Sequence, residues 1–219
     1  MNIVLKNIGK RFNKEWIFRN LNYEFSIGNK YAILGTNGCG KSTLLQIIAG
    51  AVSETEGAIN YHIPLPAPPK GERAGAAGVH PPPLVGDGGG LSLAAPYLDL
   101  PEEMTWKEAV KFHGKFKKWT PTLKGEGDVI SISELGSSAN KEIRNFSSGM
   151  KQRARLTLAI LSDTPLLLLD EPSTNLDANA VKWYQNLISE FAKERLVIVC
   201  SNYNKEEYSF CNIEFVLPA

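Results

Sequence analysis

Two kinds of hydrophobic pattern alternate along this chain. Tyr31-Ala32-Ile33-Leu34, Leu166-Leu167-Leu168-Leu169 and Leu196-Val197-Ile198-Val199-Cys200 are unbroken apolar runs. Such runs predict short strands buried on both faces, as in a parallel sheet. Asn2-Ile3-Val4-Leu5-Lys6 and Gly57-Ala58-Ile59-Asn60-Tyr61 read as further strands, and Leu21 to Ile27 alternates apolar with polar residues, the mark of a half-solvated antiparallel strand. Gly28-Asn29 supplies the turn that feeds Tyr31. Helical spacing fills the intervals. Thr43 to Ala49 has helical character and stops at Gly50, and Thr105 to Trp119 places Trp106, Ala109, Val110, His113 and Phe116 along one face. Ser148 to Ser162 is a third helix, and beyond a capping Asp177 the residues Val181, Tyr184, Leu187, Ile188 and Phe191 recur at helical intervals. Strands alternating with helices predict an α/β fold whose ligand lies at the carboxyl ends of the strands.

Pro64 to Gly90 breaks this pattern. Pro, Gly and Ala dominate it, as in Pro81-Pro82-Pro83 and Gly88-Gly89-Gly90, so it can neither pair in a sheet nor hold a helix and reads as irregular or disordered. Structureless stretches of this length are unusual inside compact domains. A family-specific insertion, an engineered segment and an error in the recorded sequence all fit it.

Composition narrows the class. The chain has 219 residues, 43% hydrophobic and 21% charged, values typical of a soluble globular protein with one substantial core. A formal net charge of +1 argues against a broad nucleic-acid footprint, and no nucleic-acid partner is expected. Three cysteines at no metal-ligand spacing predict a reduced cytosolic chain without a disulfide framework. No leader peptide and no membrane-spanning run is evident, so any membrane role is borrowed from a partner.

The chemistry concentrates in Gly35-Thr36-Asn37-Gly38-Cys39-Gly40-Lys41-Ser42-Thr43, which satisfies the phosphate-loop pattern G-x-x-x-x-G-K-[ST] at every specified position. It lies between a predicted strand and a helix N-terminus, where free backbone N–H groups and the helix dipole favour an anion. Gly35, Gly38 and Gly40 let the amides turn inward around phosphate oxygens; Lys41 brings a mobile charge to the β- and γ-phosphates. The Ser42 hydroxyl can replace a water around Mg²⁺. Asp170, closing the run Leu166–Leu169, can hold the same Mg²⁺, and Glu171 points elsewhere and can polarise an attacking water. Cys39 reads as a small residue tolerated at a variable loop position, with a redox switch as the alternative. His62, His80 and His113 are scattered and carry no assigned chemistry.

Four stretches, in order, make the chain resemble the ATP-binding subunits of ABC transporters: the phosphate loop, Phe146-Ser147-Ser148-Gly149-Met150-Lys151-Gln152-Arg153, Leu166–Glu171, and Ser173-Thr174-Asn175-Leu176-Asp177. The second is similar to the family's signature LSGGQ, matching at Ser147 and Gly149 and departing at Phe146, Ser148 and Met150. The resemblance implies a P-loop NTPase core with a mainly parallel sheet, a small antiparallel β subdomain and a helical subdomain. It implies one domain over 1–219: a core at about 1–63 and 146–219, the irregular insert at about 64–90, and a helical lobe at about 97–145.

The same resemblance implies ATP and Mg²⁺ as cofactors and a homodimer when ATP is bound, each nucleotide lying between one copy's phosphate loop and the other's Ser147, Gly149 and Asp177. Lys41, Glu171 and Asn202 form the implied hydrolytic set, and Ser42 and Asp170 hold the metal. Phe12 is similar to the aromatic that stacks on adenine, an ordinary core Phe being the alternative. Integral-membrane permease subunits encoded separately are the implied partners, placing the chain on the cytoplasmic face of the cell membrane. A C-terminus at Ala219 leaves no room for a regulatory domain and favours an exporter-type partner. Two departures stand out. Pro96, in Leu93-Ala94-Ala95-Pro96-Tyr97, lies nearest the family's Gln position, and Cys200-Ser201-Asn202-Tyr203 stands where the family has its His, with Asn202 able to hydrogen-bond the γ-phosphate. With Glu171 retained, a working but slow ATPase is expected. The alternatives are a soluble family member acting on ribosomes or DNA, and a binding-only regulatory subunit.

Overall fold

The three apolar runs become neighbouring strands of one parallel sheet. The computed structural model describes residues 1–62 and 90–217, so the irregular stretch proposed for Pro64 to Gly90 lies, except for Gly90, outside the described residues. Strands β3 (Lys30–Leu34), β5 (Leu91–Ala94), β6 (Leu166–Asp170), β7 (Leu196–Ser201) and β8 (Ile213–Val216) form a five-stranded sheet in the order β5-β6-β7-β3-β8. Every pairing in it is parallel, with Leu167 opposite Val197 and Ala32 opposite Val199. The second sheet is antiparallel, with β1 (Asn2–Phe12) between β2 (Glu15–Ser26) and β4 (Glu56–His62).

Alternation along the buried strands divides the interior. Leu166 and Leu168 of β6 and Ile198 of β7 face a core shared with Ile3, Leu5 and Phe25 of the antiparallel sheet and with Leu44, Leu45 and Ile48 of α1 (Lys41–Ile48). Leu167, Leu169, Val197 and Val199 face the opposite core, which is closed by α4 (Ser148–Ile160) and α5 (Ala178–Phe191). Each strand therefore buries side chains on both faces, which is why no polar residue interrupts these runs.

A third core lies under α2 (Trp106–His113) and α3 (Glu126–Ile132), where Trp106, Val110, Val129 and Ile143 pack on Ala154, Leu158 and Leu161. Thr105 caps α2 through a reciprocal capping box with Glu108. The helix expected to run to Trp119 ends at Gly114, and Phe116, placed by the spacing on the buried face, is 61% exposed. Lys117 from the following turn donates to the Leu91 carbonyl, tying this lobe to the edge of the parallel sheet. A four-residue helix, α6 (Lys205–Tyr208), follows β7. Among the described residues no helix is long and apolar enough to cross a membrane.

Candidate active site

Strand β3 ends at Leu34, and Gly35 to Gly40 loop over to the N-terminus of α1, which begins at Lys41 rather than at Thr43. Gly40 makes this turn at φ +101°, and a Cβ there would meet Ile17 Cγ2 at 2.5 Å. Only glycine fits both the dihedral and the space. Lys41 is 5% exposed, and its ammonium donates to the carbonyls of Gly35 at 2.8 Å and Thr36 at 3.0 Å. Asn37, Gly38, Gly40, Lys41, Ser42 and Thr43 line a cavity of about 210 Å³, joined from another strand end by Glu171. Gly35 and Thr36 hold Lys41 behind it, and Cys39 packs against Gly35.

The acids sit at the end of β6. Asp170 is buried with its Oδ1 unpartnered. Burial pushes its carboxyl above the usual range, with Glu171 and Glu207 adding to the rise, while the Ser42 hydroxyl and Lys41 pull the other way. A buried carboxyl oxygen without a donor, beside a serine hydroxyl and a lysine, fits a hard cation between loop and strand. Glu171 leaves the strand at φ +42° and turns its half-buried side chain to the loop cavity. Its N–H donates to the Cys200 carbonyl at 3.0 Å, and Gln152 of α4 holds the following Pro172 carbonyl at 3.0 Å.

Ser147, Gly149 and Asp177 line a different cavity, of about 340 Å³, with Asn175 and Arg153. Ser147 caps α4, accepting from the Met150 N–H at 3.2 Å, and its own proton stays available to an anion. Asp177 caps α5, accepting from Ala180 at 2.8 Å. Within one chain the phosphate loop and the signature stretch thus open into separate cavities. Phe12 is 47% exposed beneath the Lys10 ammonium, so it is no core residue, and neither it nor the exposed Asn202 lines either cavity.

Two residues near Asp170 carried no signal in the sequence. Tyr97, beside Pro96, is 42% exposed, and the buried part of its side chain together with the charge of nearby Asp170 pushes its phenol up. Glu207 is buried behind Glu171, and α6, which carries it, is too short for any periodicity to reveal. Cys39, Cys200 and Cys211 are free thiols.

Known proteins resemble this chain in sequence and in fold. The sequence matches the ABC transporter family over residues 18–75 and 99–174, more than half of the chain. It is 29% identical over 215 residues to the ABC transporter ATP-binding protein YybJ of Bacillus subtilis, covering 96% of this chain and 90% of that one. The lantibiotic transport ATP-binding protein SrtF of Streptococcus pyogenes is 28% identical over 200 residues, covering 91% of this chain and 79% of its own. The fold superposes on a bacterial ABC transporter cassette solved as a dimer, MJ0796, with a TM-score of 0.74 at 21% identity over 98% of this chain and 94% of that one. A phosphate loop, a strand-end acid pair and a capped signature helix thus stand on the fold those proteins share, and the chain belongs to the ABC transporter family, alongside its ATP-binding proteins.

Proposed function

We propose that this chain binds and hydrolyses ATP at the phosphate loop and that ATP-driven pairing of two copies powers transport through separately encoded permease subunits. The observation that carries the proposal is the convergence of Glu171 with six phosphate-loop residues on one cavity. Glu171 stands where it can hold a water and take its proton, while Lys41 exchanges two carbonyl partners for phosphate oxygens. Asp170 and Ser42 fit a Mg²⁺ ion, which when bound would offset charge on the phosphates. Asn202 can donate to the γ-phosphate but cannot titrate, and Pro96 offers no side-chain ligand.

The separate cavity at Ser147, Gly149 and Asp177 supports head-to-tail pairing, in which each copy's signature helix covers its partner's phosphate loop. Phe12, exposed on the antiparallel sheet, is free to stack on adenine. We read residues 1–63 and 146–219 as the core and 97–145 as the lobe that meets the permease, on the cytoplasmic face of the membrane. The names of YybJ and SrtF support the transport role.

Phosphate release from Mg·ATP tests the proposal. The wild type should turn over, and Glu171→Gln should lose about 10²-fold or more while still binding ATP. Binding without turnover in the wild type would favour a regulatory subunit, and unchanged turnover in Glu171→Gln would remove Glu171 from its role.

A further inference from the structure

Behind Glu171 lies a second carboxylate, which lines neither cavity. Glu207, on α6, is 4% exposed. Its Oε1 accepts from the Ser173 N–H at 3.3 Å and the Ser173 hydroxyl at 2.8 Å, and its Oε2 accepts from the Ser201 hydroxyl at 2.5 Å. Both hydroxyls are in turn supplied by one residue: Asn204 donates through Nδ2 to Ser173 Oγ at 3.0 Å and through its backbone N–H to Ser201 Oγ at 3.1 Å. The donors run one way: Asn204 gives, the two serines relay, and Glu207 receives at both oxygens. The Tyr184 hydroxyl of α5 anchors the Glu207 carbonyl at 2.9 Å.

The network joins two turns that need holding. Ser173 stands two residues after Glu171, which is at φ +42°, and Ser201 directly precedes Asn202, followed by Tyr203 at φ +57°. Left-handed backbone at non-glycine residues persists only where surrounding structure fixes it. Burial raises the Glu207 carboxyl, the hydrogen bonds from Ser201 and Ser173 oppose that rise, and the neighbouring Glu171 adds to it.

We propose that Glu207 is a positioning residue for hydrolysis, fixing the turn that carries Glu171 against the turn that carries Asn202. This rests on Glu171 being the hydrolytic acid. Glu207→Gln keeps the side chain's volume and reverses one arm, since a carboxamide nitrogen cannot accept from a serine. The Ser201 hydroxyl can then turn to the Asn204 carbonyl, 3.3 Å away.

The test compares kcat, KM, ATP affinity and melting temperature for the wild type, Glu207→Gln, Glu171→Gln and the double variant, with Ser173→Ala and Ser201→Ala as variants that keep the carboxyl. Glu207→Gln should hold ATP affinity and KM within about twofold and lower kcat by about tenfold or more, with each serine variant intermediate. Added to Glu171→Gln it should cost less than about twofold further, because the group it positions is already gone. Wild-type kcat in Glu207→Gln and both serine variants, losses that multiply in the double variant, or a parallel loss of ATP affinity would overturn the inference. Normal turnover in Glu171→Gln, or none in the wild type, would instead overturn the proposed function and this inference with it.

Discussion

The Lys41 ammonium lies 2.8 Å from the Gly35 carbonyl, so the cation of the phosphate loop is held by the first residue of that same loop. Its second partner, the Thr36 carbonyl at 3.0 Å, is equally neutral. A buried ammonium bonded only to carbonyls gains when charged oxygens replace them. Lys41→Ala should therefore weaken Mg·ATP binding by about 2 kcal/mol, close to thirtyfold, while leaving the fold intact. Calorimetric titration of both proteins decides it, and equal affinities would remove Lys41 from the binding site.

Gly149 brings the first turn of α4 against the loop that leads to Asp177. A Cβ at this position would lie 2.8 Å from the Asn175 carbonyl oxygen, a backbone atom that must move to make room. Asn175 is itself at φ +64°, so the displaced turn starts from a restricted conformation. Gly149→Ala should shift Asp177 and weaken pairing of two copies without touching the phosphate loop. In a Glu171→Gln background with Mg·ATP, light scattering should find dimers when Gly149 is present and monomers when it is replaced. ATP affinity of the monomer should stay within about twofold. Dimers that survive the substitution would take Gly149 out of the pairing surface.

These residues differ in how far the sequence alone discloses them. The phosphate loop is contiguous, and Leu166 to Leu169 is apolar on both faces, so local pattern suffices for each. The edge strands are harder. β5 is four residues long, and its buried Ser92 is satisfied by Thr164 at 2.9 Å, a partner 72 positions away. β8 buries only alternate residues partly, which in four positions is too little pattern to see. Thr105 to Trp119 keeps helical spacing through Phe116, yet the chain leaves the helix at Gly114. The Glu207 network joins Ser173, Ser201, Asn204 and Glu207 from both strand-end turns and α6, so no window along the chain contains it.

The three thiols occupy three environments. Burial pushes Cys200 well above its usual value and Cys211 up to about 12, leaving both poor nucleophiles near neutral pH. Cys39 is half-buried in the phosphate loop, in contact with Gly35. Iodoacetamide should therefore label Cys39 first, and Mg·ATP should slow that labelling by about tenfold at saturation. Mass spectrometry of the labelled peptide reads both effects. Equal rates with and without nucleotide would place the bound phosphates away from this loop.

Acidification should act on the helical lobe through His113. Its ring stacks on Trp119 at 5.2 Å, and its Nε2 lies 2.8 Å from Ser162 Oγ. That hydroxyl already donates to the Leu158 carbonyl at 2.6 Å, so it accepts from His113, which fixes the neutral tautomer with its proton on Nε2. Burial lowers the imidazole from 6.5 to about 4, and Lys117 adds to the fall. In the unfolded chain the same imidazole takes up its proton near pH 6.5, so between those values the unfolded state binds more protons. Stability from this group is complete above about pH 6.5 and is lost as pH falls toward 4, by at most about 3 kcal/mol. The raised carboxyls of Asp170 and Glu207 have the opposite slope, but they remain in a His113→Gln variant and cancel in the difference. The stability gap between wild type and His113→Gln, from urea unfolding at steps between about pH 7 and pH 4.5, should shrink steadily with acid. A gap that stays constant would mean that the imidazole is protonated in the folded protein at the same pH as in the unfolded chain.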